Sequence, residues 1–378
     1  MVKYMNMKNA EIKEEIKPFR VLTLDGGGMR GLYTAILLQR MVQLFDSKYQ
    51  DKKIDGSIPM PDIGQAFDLI CGTSTGAILA CALAVGVPID KVIKLYIDEG
   101  KNIFPSPQPS SWLKYLWAFK YRNKPTANAN KLKELLDTIF KEETIKSMYD
   151  KRKICICIPT INASNHRAWV FKTPHFPDKH RDNNYRLSDV CLASSAAPIF
   201  FPIANVANPD NGLEQYFVDG GLWANNPIMV GLIEAIAITK KEQPVELVSI
   251  GTCEMPTGDP NLLKSNLGVM DWKVGIGITE MAISAQAYGY SSMAKFSANL
   301  ITLLGKRVTV IRLEESHKSK GQLSAIDLDK SDRTAIKTLT DIALSDADWN
   351  HSNVLNELQK EENQIVKEIF SKMSELKR

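Results

Sequence analysis

Ser74 stands at the centre of Gly72-Thr73-Ser74-Thr75-Gly76, between one apolar run (Phe67 to Cys71) and another (Ala77 to Val85). A serine flanked by glycines at a strand-to-helix turn is lifted clear of the sheet edge, where its hydroxyl can act as a nucleophile. That hydroxyl is weak until a base takes its proton. Asp219 is the candidate base, because it follows Phe217-Val218 and precedes Gly220 and Gly221, leaving its carboxylate free to reach into a cleft. Each residue alone has a plainer reading: a Ser/Thr/Gly turn that caps a helix, and an aspartate in a turn. A third motif is Asp25-Gly26-Gly27-Gly28-Met29-Arg30-Gly31, again after a strand and at a helix start. Glycines there aim free N–H groups at one point, and the helix N-terminus behind them favours negative charge. The spacing of Gly26, Gly28 and Gly31 also satisfies the dinucleotide fingerprint. That fingerprint expects a second strand ending in an acid about twenty residues on. Asp46 to Pro61 is instead polar, with no strand.

A Ser-His-Asp site needs a histidine held by an acid. The five histidines are His166, His175, His180, His317 and His351, and none stands at a strand end beside glycine. They read as surface residues, and a two-residue engine of Ser74 and Asp219 fits better.

Strand and helix signals alternate around these motifs. Strands are expected at Phe19 to Leu24, Phe67 to Cys71, Ile154 to Ile161 with a partner at Ala168 to Phe171, Phe217-Val218, Val245 to Ile250 and Val308 to Leu313. Helices are expected at Leu32 to Phe45, Ala77 to Val85, Asp90 to Glu99, Lys131 to Phe140, Ser188 (as N-cap) to Ala196, and Pro227 to Thr239. The alternation implies a mostly parallel α/β sheet covered on both faces. Val354 to Leu376 reads as one amphipathic helix packed on the main domain, with a dimer-forming helix as the alternative.

Composition sets the outer limits. The chain has 378 residues, 44% apolar and 24% charged, so disorder as a whole is excluded. A net charge of +4 from 47 basic and 43 acidic side chains does not imply nucleic acid. Six cysteines make no disulfide scaffold, and five of them lie in apolar runs, as expected of buried free thiols in a reducing compartment. Met1 to Lys17 has no apolar stretch of the signal-peptide kind. Leu69 to Val87 is uncharged, but its glycines break it into a strand, a turn and a helix too short to cross a bilayer.

Asp-Gly-Gly-Gly-x-Arg-Gly, then Gly-Thr-Ser-Thr-Gly, then Asp-Gly-Gly, in that order and at these intervals, resembles the patatin-like phospholipase family. Ala193-Ser194-Ser195-Ala196-Ala197-Pro198 and Asn225-Asn226-Pro227 add to the likeness, which covers Phe19 to Cys253. The resemblance implies a patatin-like three-layer α/β/α sandwich with a mostly parallel central sheet and a C-terminal helical segment. It divides the chain into a polar extension (1–18), a catalytic domain (19–255) and a mostly helical region that completes or regulates it (256–378). It implies Ser74 as nucleophile, Asp219 as base, amides of Gly27 and Gly28 as oxyanion hole, and Arg30 as a brace for that loop. Gly26, Gly31, Gly72, Gly76, Gly220 and Gly221 would support the three motif loops. The implied reaction is phospholipase A-type hydrolysis of membrane phospholipid acyl esters, without metal or other cofactor.

A bilayer-facing segment is also expected. Ser111 to Lys124 mixes Trp112, Tyr115, Leu116, Trp117, Phe119 and Tyr121 with Lys114, Lys120, Arg122 and Lys124, which suits an interfacial helix or an ordinary packed one. More loosely, the chain resembles bacterial patatin-like effectors of anti-phage systems switched on by cyclic dinucleotides. That likeness implies a cyclic-dinucleotide activator, a homo-oligomer, no nucleic-acid partner, and a cytoplasmic enzyme acting at the inner face of the membrane. Trp272, Lys273, Tyr288 and Tyr290 could stack on and pair with a nucleotide, or simply belong to core and surface. The rival functions are an acyltransferase or constitutive esterase with the same dyad, and a nucleotide-binding module that leaves Ser74 idle.

Overall fold

A computed structural model describes residues 16–46, 48–49, 60–107, 117, 119–121, 123–253, 268 and 276–375. The strands are β1 (Phe19–Leu24), β2 (Leu69–Gly72), β3 (Cys155–Asn162), β4 (Arg167–Lys172), β5 (Ala204–Ala207), β6 (Glu214–Asp219), β7 (Val245–Ile250) and β8 (Val308–Arg312). The helices are α1 (Gly31–Phe45), α2 (Thr75–Val85), α3 (Ile89–Ile103), α4 (Ala129–Phe140), α5 (Ile145–Arg152), α6 (Leu187–Ser194), α7 (Gly221–Ala224), α8 (Ile228–Ile238), α9 (Ile276–Leu303), α10 (Lys320–Ala325), α11 (Arg333–Asn356) and α12 (Glu361–Ser371).

All eight strands form one sheet in the order β5-β6-β3-β2-β1-β7-β8, with β4 on the other edge of β3. β3, β2, β1, β7 and β8 run parallel, and β4, β5 and β6 make the antiparallel pairs at one side. The central strands are apolar on both faces because both faces are covered. Leu22, Leu24, Ile70, Ile156, Ile158, Val248 and Ile250 face a core shared with α1, α2, α11 and α12. Val21, Leu69, Cys71, Cys155, Cys157, Val245, Leu247, Val308 and Val310 face a second core under α8 and α9, through Ile228, Leu232, Ala294 and Ala298. The fold is the expected three-layer α/β/α sandwich.

The 69–87 stretch divides as expected into β2, a turn and α2, and α2 is buried all round. No helix among the described residues is long and apolar enough to cross a membrane. All six cysteines are buried and free.

Three expectations need correction. The tail is two helices rather than one. α11 ends at Asn356 and α12 starts at Glu361, and the side-chain amides of Asn363 and Gln364 take the Glu357 and Leu358 carbonyls at 3.0 and 2.9 Å. The apolar spacing runs on across the break, which is why the periodicity reads as one helix. Ile365, Ile369, Phe370 and Met373 still enter the same core as Leu38 and Met41 of α1. Secondly, Ser188 does not cap α6. Arg186 is the N-cap residue, placed by its bridge to Thr144, while Ser188 is buried inside the first turn. Finally, the short edge strand β5 and the 28-residue helix α9 have no counterpart in the expected elements. Four residues carry too little periodicity, and α9 is apolar on too many sides to give a clear stripe.

Most of the Ser111 to Lys124 segment, including Trp112, Lys114, Tyr115, Leu116 and Arg122, lies outside the described residues, as do Trp272 and Lys273. Within it, Trp117 Nε1 donates to the Ser106 carbonyl at 3.1 Å, and Phe119 is 67% exposed. Tyr288 is exposed, whereas Tyr290 packs on the second core.

Candidate active site

β3 sets up the site because its two ends use different neighbours along one edge. Cys157 pairs with Lys172 on one side and Cys71 of β2 on the other. Thr160 pairs with Trp169 of β4 on the first side, which leaves the β2 side for Asp219 of β6. Parallel β2 and antiparallel β6 therefore approach each other head-on along the same edge of β3. Their ends carry Ser74 and Asp219, 145 positions apart in sequence, and Ser74 Oγ donates to Asp219 Oδ2 at 2.7 Å.

Ser74 has φ 56° and ψ −120°, a conformation that costs a non-glycine residue about 1–3 kcal/mol. The surroundings hold it there. Its N–H donates to Ser194 Oγ at 2.9 Å, and that hydroxyl donates to the Pro159 carbonyl at 2.7 Å. Thr73 Oγ1 donates to the Ala224 carbonyl at 2.6 Å. The flanking glycines are required by space: a Cβ on Gly72 would fall 2.1 Å from the Gly76 carbonyl oxygen, and one on Gly76 would fall 2.3 Å from that of Leu24. Ser74 is half-buried and so can be reached from solvent.

Asp219 is 5% exposed. Its Oδ1 accepts from Gly221 N–H at 2.6 Å, and its own N–H donates to the Ala196 carbonyl at 3.0 Å. Gly220 N–H donates to the Ser194 carbonyl at 3.2 Å. Burial pushes the Asp219 carboxyl up to about 6, outweighing the bonds from Ser74 and Gly221 that pull it down. A buried carboxyl with that value is ionised at neutral pH, yet far more basic than a solvated aspartate.

The 25–31 loop closes over the pair. A Cβ placed on Gly26 would sit 3.3 Å from Ser74 Cβ. Gly26 N–H donates to the Asn225 carbonyl at 2.9 Å, and the Gly26 carbonyl accepts from Thr252 Oγ1 at 2.8 Å. Gly28 has φ +55°, and a Cβ there would meet the Leu328 carbonyl oxygen at 2.3 Å. Among the described residues, neither the Gly27 nor the Gly28 N–H has an acceptor. Arg30 Nε reaches back to the Gly27 carbonyl at 3.4 Å. Gly31 lies tight against Thr75 and Tyr96, whose hydroxyls are hydrogen-bonded to each other.

Five groups that build this site carried no assigned role in the motifs. Arg312 of β8 grips Asp25 with both terminal nitrogens, at 2.9 and 2.5 Å. Leu328 O accepts from Met29 N–H at 2.8 Å, so the C-terminal region touches the glycine loop directly. Ser194, Asn225 and Thr252 complete the set. Ser194 and Asn225 lie in fragments noted for resemblance, which was the available signal; Arg312 and Leu328 had none.

One histidine expectation fails. The His175 side chain is 2% exposed, and its ring nitrogens face Thr173 Oγ1 and Glu234 Oε1, each at 2.8 Å. The segment after β4 folds back on α8, where Glu234 meets it. None of the five histidines is hydrogen-bonded to Ser74 or Asp219 among the described residues.

A sheet of this topology with Ser74 on a glycine-flanked turn defines a class, and sequence comparison agrees. The profile described as patatin-like phospholipase matches residues 22–232, and the chain belongs to that family. It is 35% identical over 242 residues to a "cGAMP-activated phospholipase" of Escherichia coli (strain TW11681), covering 62% of each chain. It is 32% identical over 297 residues to a protein of the same name from Vibrio cholerae serotype O1, covering 76% of this chain and 80% of that one. Among solved structures, human GIVD cytosolic phospholipase A2 is 8% identical over 93% of this chain and 60% of that one, with a TM-score of 0.44.

Ser194→Ala leaves the buried Ser74 N–H and Pro159 carbonyl without their partner, so it should destabilise the chain by about 1–3 kcal/mol. Denaturant unfolding measures this. A midpoint equal to that of the unaltered chain would show that the strained turn holds itself.

Proposed function

We propose that the chain is a phospholipase A-type serine hydrolase with a Ser74-Asp219 dyad, switched on by a cyclic dinucleotide. The observation that carries the catalytic part is the 2.7 Å bond from Ser74 Oγ to the buried Asp219 carboxylate, beside a loop with two N–H groups to spare. Asp219 Oδ2 takes the hydroxyl proton as Ser74 Oγ attacks the ester carbonyl. The tetrahedral oxyanion is met by the Gly27 and Gly28 amides, each such donor being worth about 3–4 kcal/mol. On collapse the ester C–O bond breaks, Asp219 gives its proton to the departing glycerol oxygen so that lysophospholipid leaves neutral at that hydroxyl, and the acyl group stays on Ser74. Water, deprotonated by Asp219, then releases the fatty acid. Arg30, Gly26 and Gly31 keep the loop in shape, and Gly220 and Gly221 leave room for the Pro159 carbonyl and the Asp219 carboxylate, which a Cβ at either position would crowd.

A cavity of about 170 Å³ is lined by Leu192, Ala196, Phe201, Pro202 and Ile203 together with Asn130 and Lys133; it shares with the site only Ala196, whose carbonyl accepts from the Asp219 N–H. Its mostly apolar wall suits part of an acyl chain. The activator reading rests on what the E. coli and V. cholerae relatives are named for. Action at the membrane surface follows from the substrate.

The test is mass spectrometry of phospholipid vesicles incubated with the chain, with and without cGAMP. Equal amounts of fatty acid and lysophospholipid are expected, rising severalfold with the dinucleotide. No fatty acid under either condition overturns the hydrolase reading. Release that is indifferent to cGAMP removes that activator alone. Transfer to an added alcohol in preference to water would make the enzyme an acyltransferase.

A further inference from the structure

On the α8 face of the sheet, three side chains of metal-binding type converge. Cys71, Cys157 and Lys172 are register partners on adjacent strands, so their side chains leave the same face in one row. Cys157 stands opposite Cys71 in the register of β3 and β2, and burial pushes its thiol well above its ordinary value. α8 crosses above the row: Gly231 comes so close that a Cβ there would sit 3.2 Å from Cys71 Sγ. One turn on, Glu234 points down to His175 Nε2 at 2.8 Å through Oε1 and to Lys172 Nζ at 2.6 Å through Oε2. The ligand atoms of Cys157, His175 and Glu234 all lie within 4.8 Å of one another. The proposed reaction uses none of these groups.

We propose that Cys157 Sγ, His175 Nε2 and Glu234 Oε1 form a structural site for a borderline-soft divalent cation, Zn²⁺ first, with Cys71 Sγ or water as fourth ligand. A thiolate, an imidazole and a carboxylate select zinc over magnesium or calcium, which prefer oxygen alone. Neighbouring ligands of tetrahedral zinc lie about 3.3–3.8 Å apart, given bonds of about 2.0–2.3 Å. Small side-chain rotations, opening the His175–Glu234 contact and closing the thiol, bring these atoms there. The outer shell is already built. Thr173 Oγ1 faces His175 Nδ1 at 2.8 Å and fixes the ring, leaving Nε2 for the metal. Lys172 occupies the other oxygen of Glu234, which makes that carboxylate monodentate. With Cys71 as fourth ligand the charge closes as well: two thiolates, one carboxylate, Lys172 and a divalent cation sum to zero, the condition for burying them together. The ion would join β2, β3, the segment after β4 and α8, and so brace the strand that delivers Ser74. Binding releases the thiol protons and the proton shared by His175 and Glu234; no bond is oxidised or reduced.

The test uses the full chain stripped with chelator. One equivalent of Zn²⁺ should remain after gel filtration and raise the melting temperature, while Mg²⁺ should do neither. Co²⁺ should give a thiolate-to-metal charge-transfer band. Glu234→Gln and His175→Ala should each weaken Zn²⁺ binding at least tenfold. Cys81→Ser, in the other core, should leave both stoichiometry and band intact. The proposal is overturned by less than a tenth of an equivalent of Zn²⁺, by the absence of the Co²⁺ band, or by unchanged binding in the two ligand variants. If those variants fail to fold by circular dichroism, the Co²⁺ band in the unaltered and Cys81→Ser chains decides alone.

Discussion

Ser74→Ala will fold as the unaltered chain does and release no fatty acid above the uncatalysed background. Removing a serine nucleophile from a hydrolase of this kind costs about 10⁶-fold in rate. The local fold should survive for two reasons. The Ser74 backbone is held by Ser194 and by close packing at Gly72 and Gly76, none of which needs the hydroxyl. Asp219 also keeps its bond from Gly221. Mass spectrometry of vesicles measures the loss, and a fluorophosphonate probe should label the unaltered chain but not the variant. Retention of even a tenth of the activity would transfer the nucleophile's role to another group.

Asp219→Asn should lose activity about 10³-fold, the scale of a general base, and gain stability. The amide keeps the shape. Its oxygen can accept from Gly221 N–H and its nitrogen can donate to Ser74 Oγ, but it takes no proton. The gain follows from the carboxyl value of about 6 against an ordinary 3.8. In the folded chain this group holds its proton to higher pH than in the unfolded chain. Its contribution to stability is therefore fully present below about pH 4 and is lost as pH rises through about 6. At neutral pH the ionised form costs about 3 kcal/mol, taking 1.36 kcal/mol per unit. The variant should exceed the unaltered chain by about 1–3 kcal/mol at pH 7 to 8, and the two should converge near pH 4. Urea unfolding across that range measures it. Activity runs the other way: kcat/KM of the unaltered enzyme should rise with pH, half-maximal near 6, and level off above 7, because the base must be ionised. A variant less stable than the unaltered chain at pH 8 would mean that Asp219 is held as a favourable anion.

Motif and periodicity made much of this molecule legible. β1 and β7 lie where their apolar runs place them, and the elbow follows from Gly72, Ser74 and Gly76 in five residues. The tail shows the limit of periodicity. Its apolar spacing continues through 357–360, while side-chain amides of Asn363 and Gln364 end one helix and support the start of the next. His175 shows another limit. Its polar neighbours in sequence suggest the surface, and only the return of its segment onto Glu234 buries it.

By itself the sequence determined which groups stand on turns and which way the chain bends there, since glycine spacing and apolar alternation act within a few residues. Tertiary structure alone decided which groups meet. Ser194 reaches Ser74 across 120 positions because the end of α6 docks on the Pro159 carbonyl of β3, and Arg312 reaches Asp25 across 287 because β1 and β8 share β7 as a template. The basicity of Asp219 belongs to the same order, because it is set by the layers that exclude water from one carboxylate, and burial is a property of the whole fold.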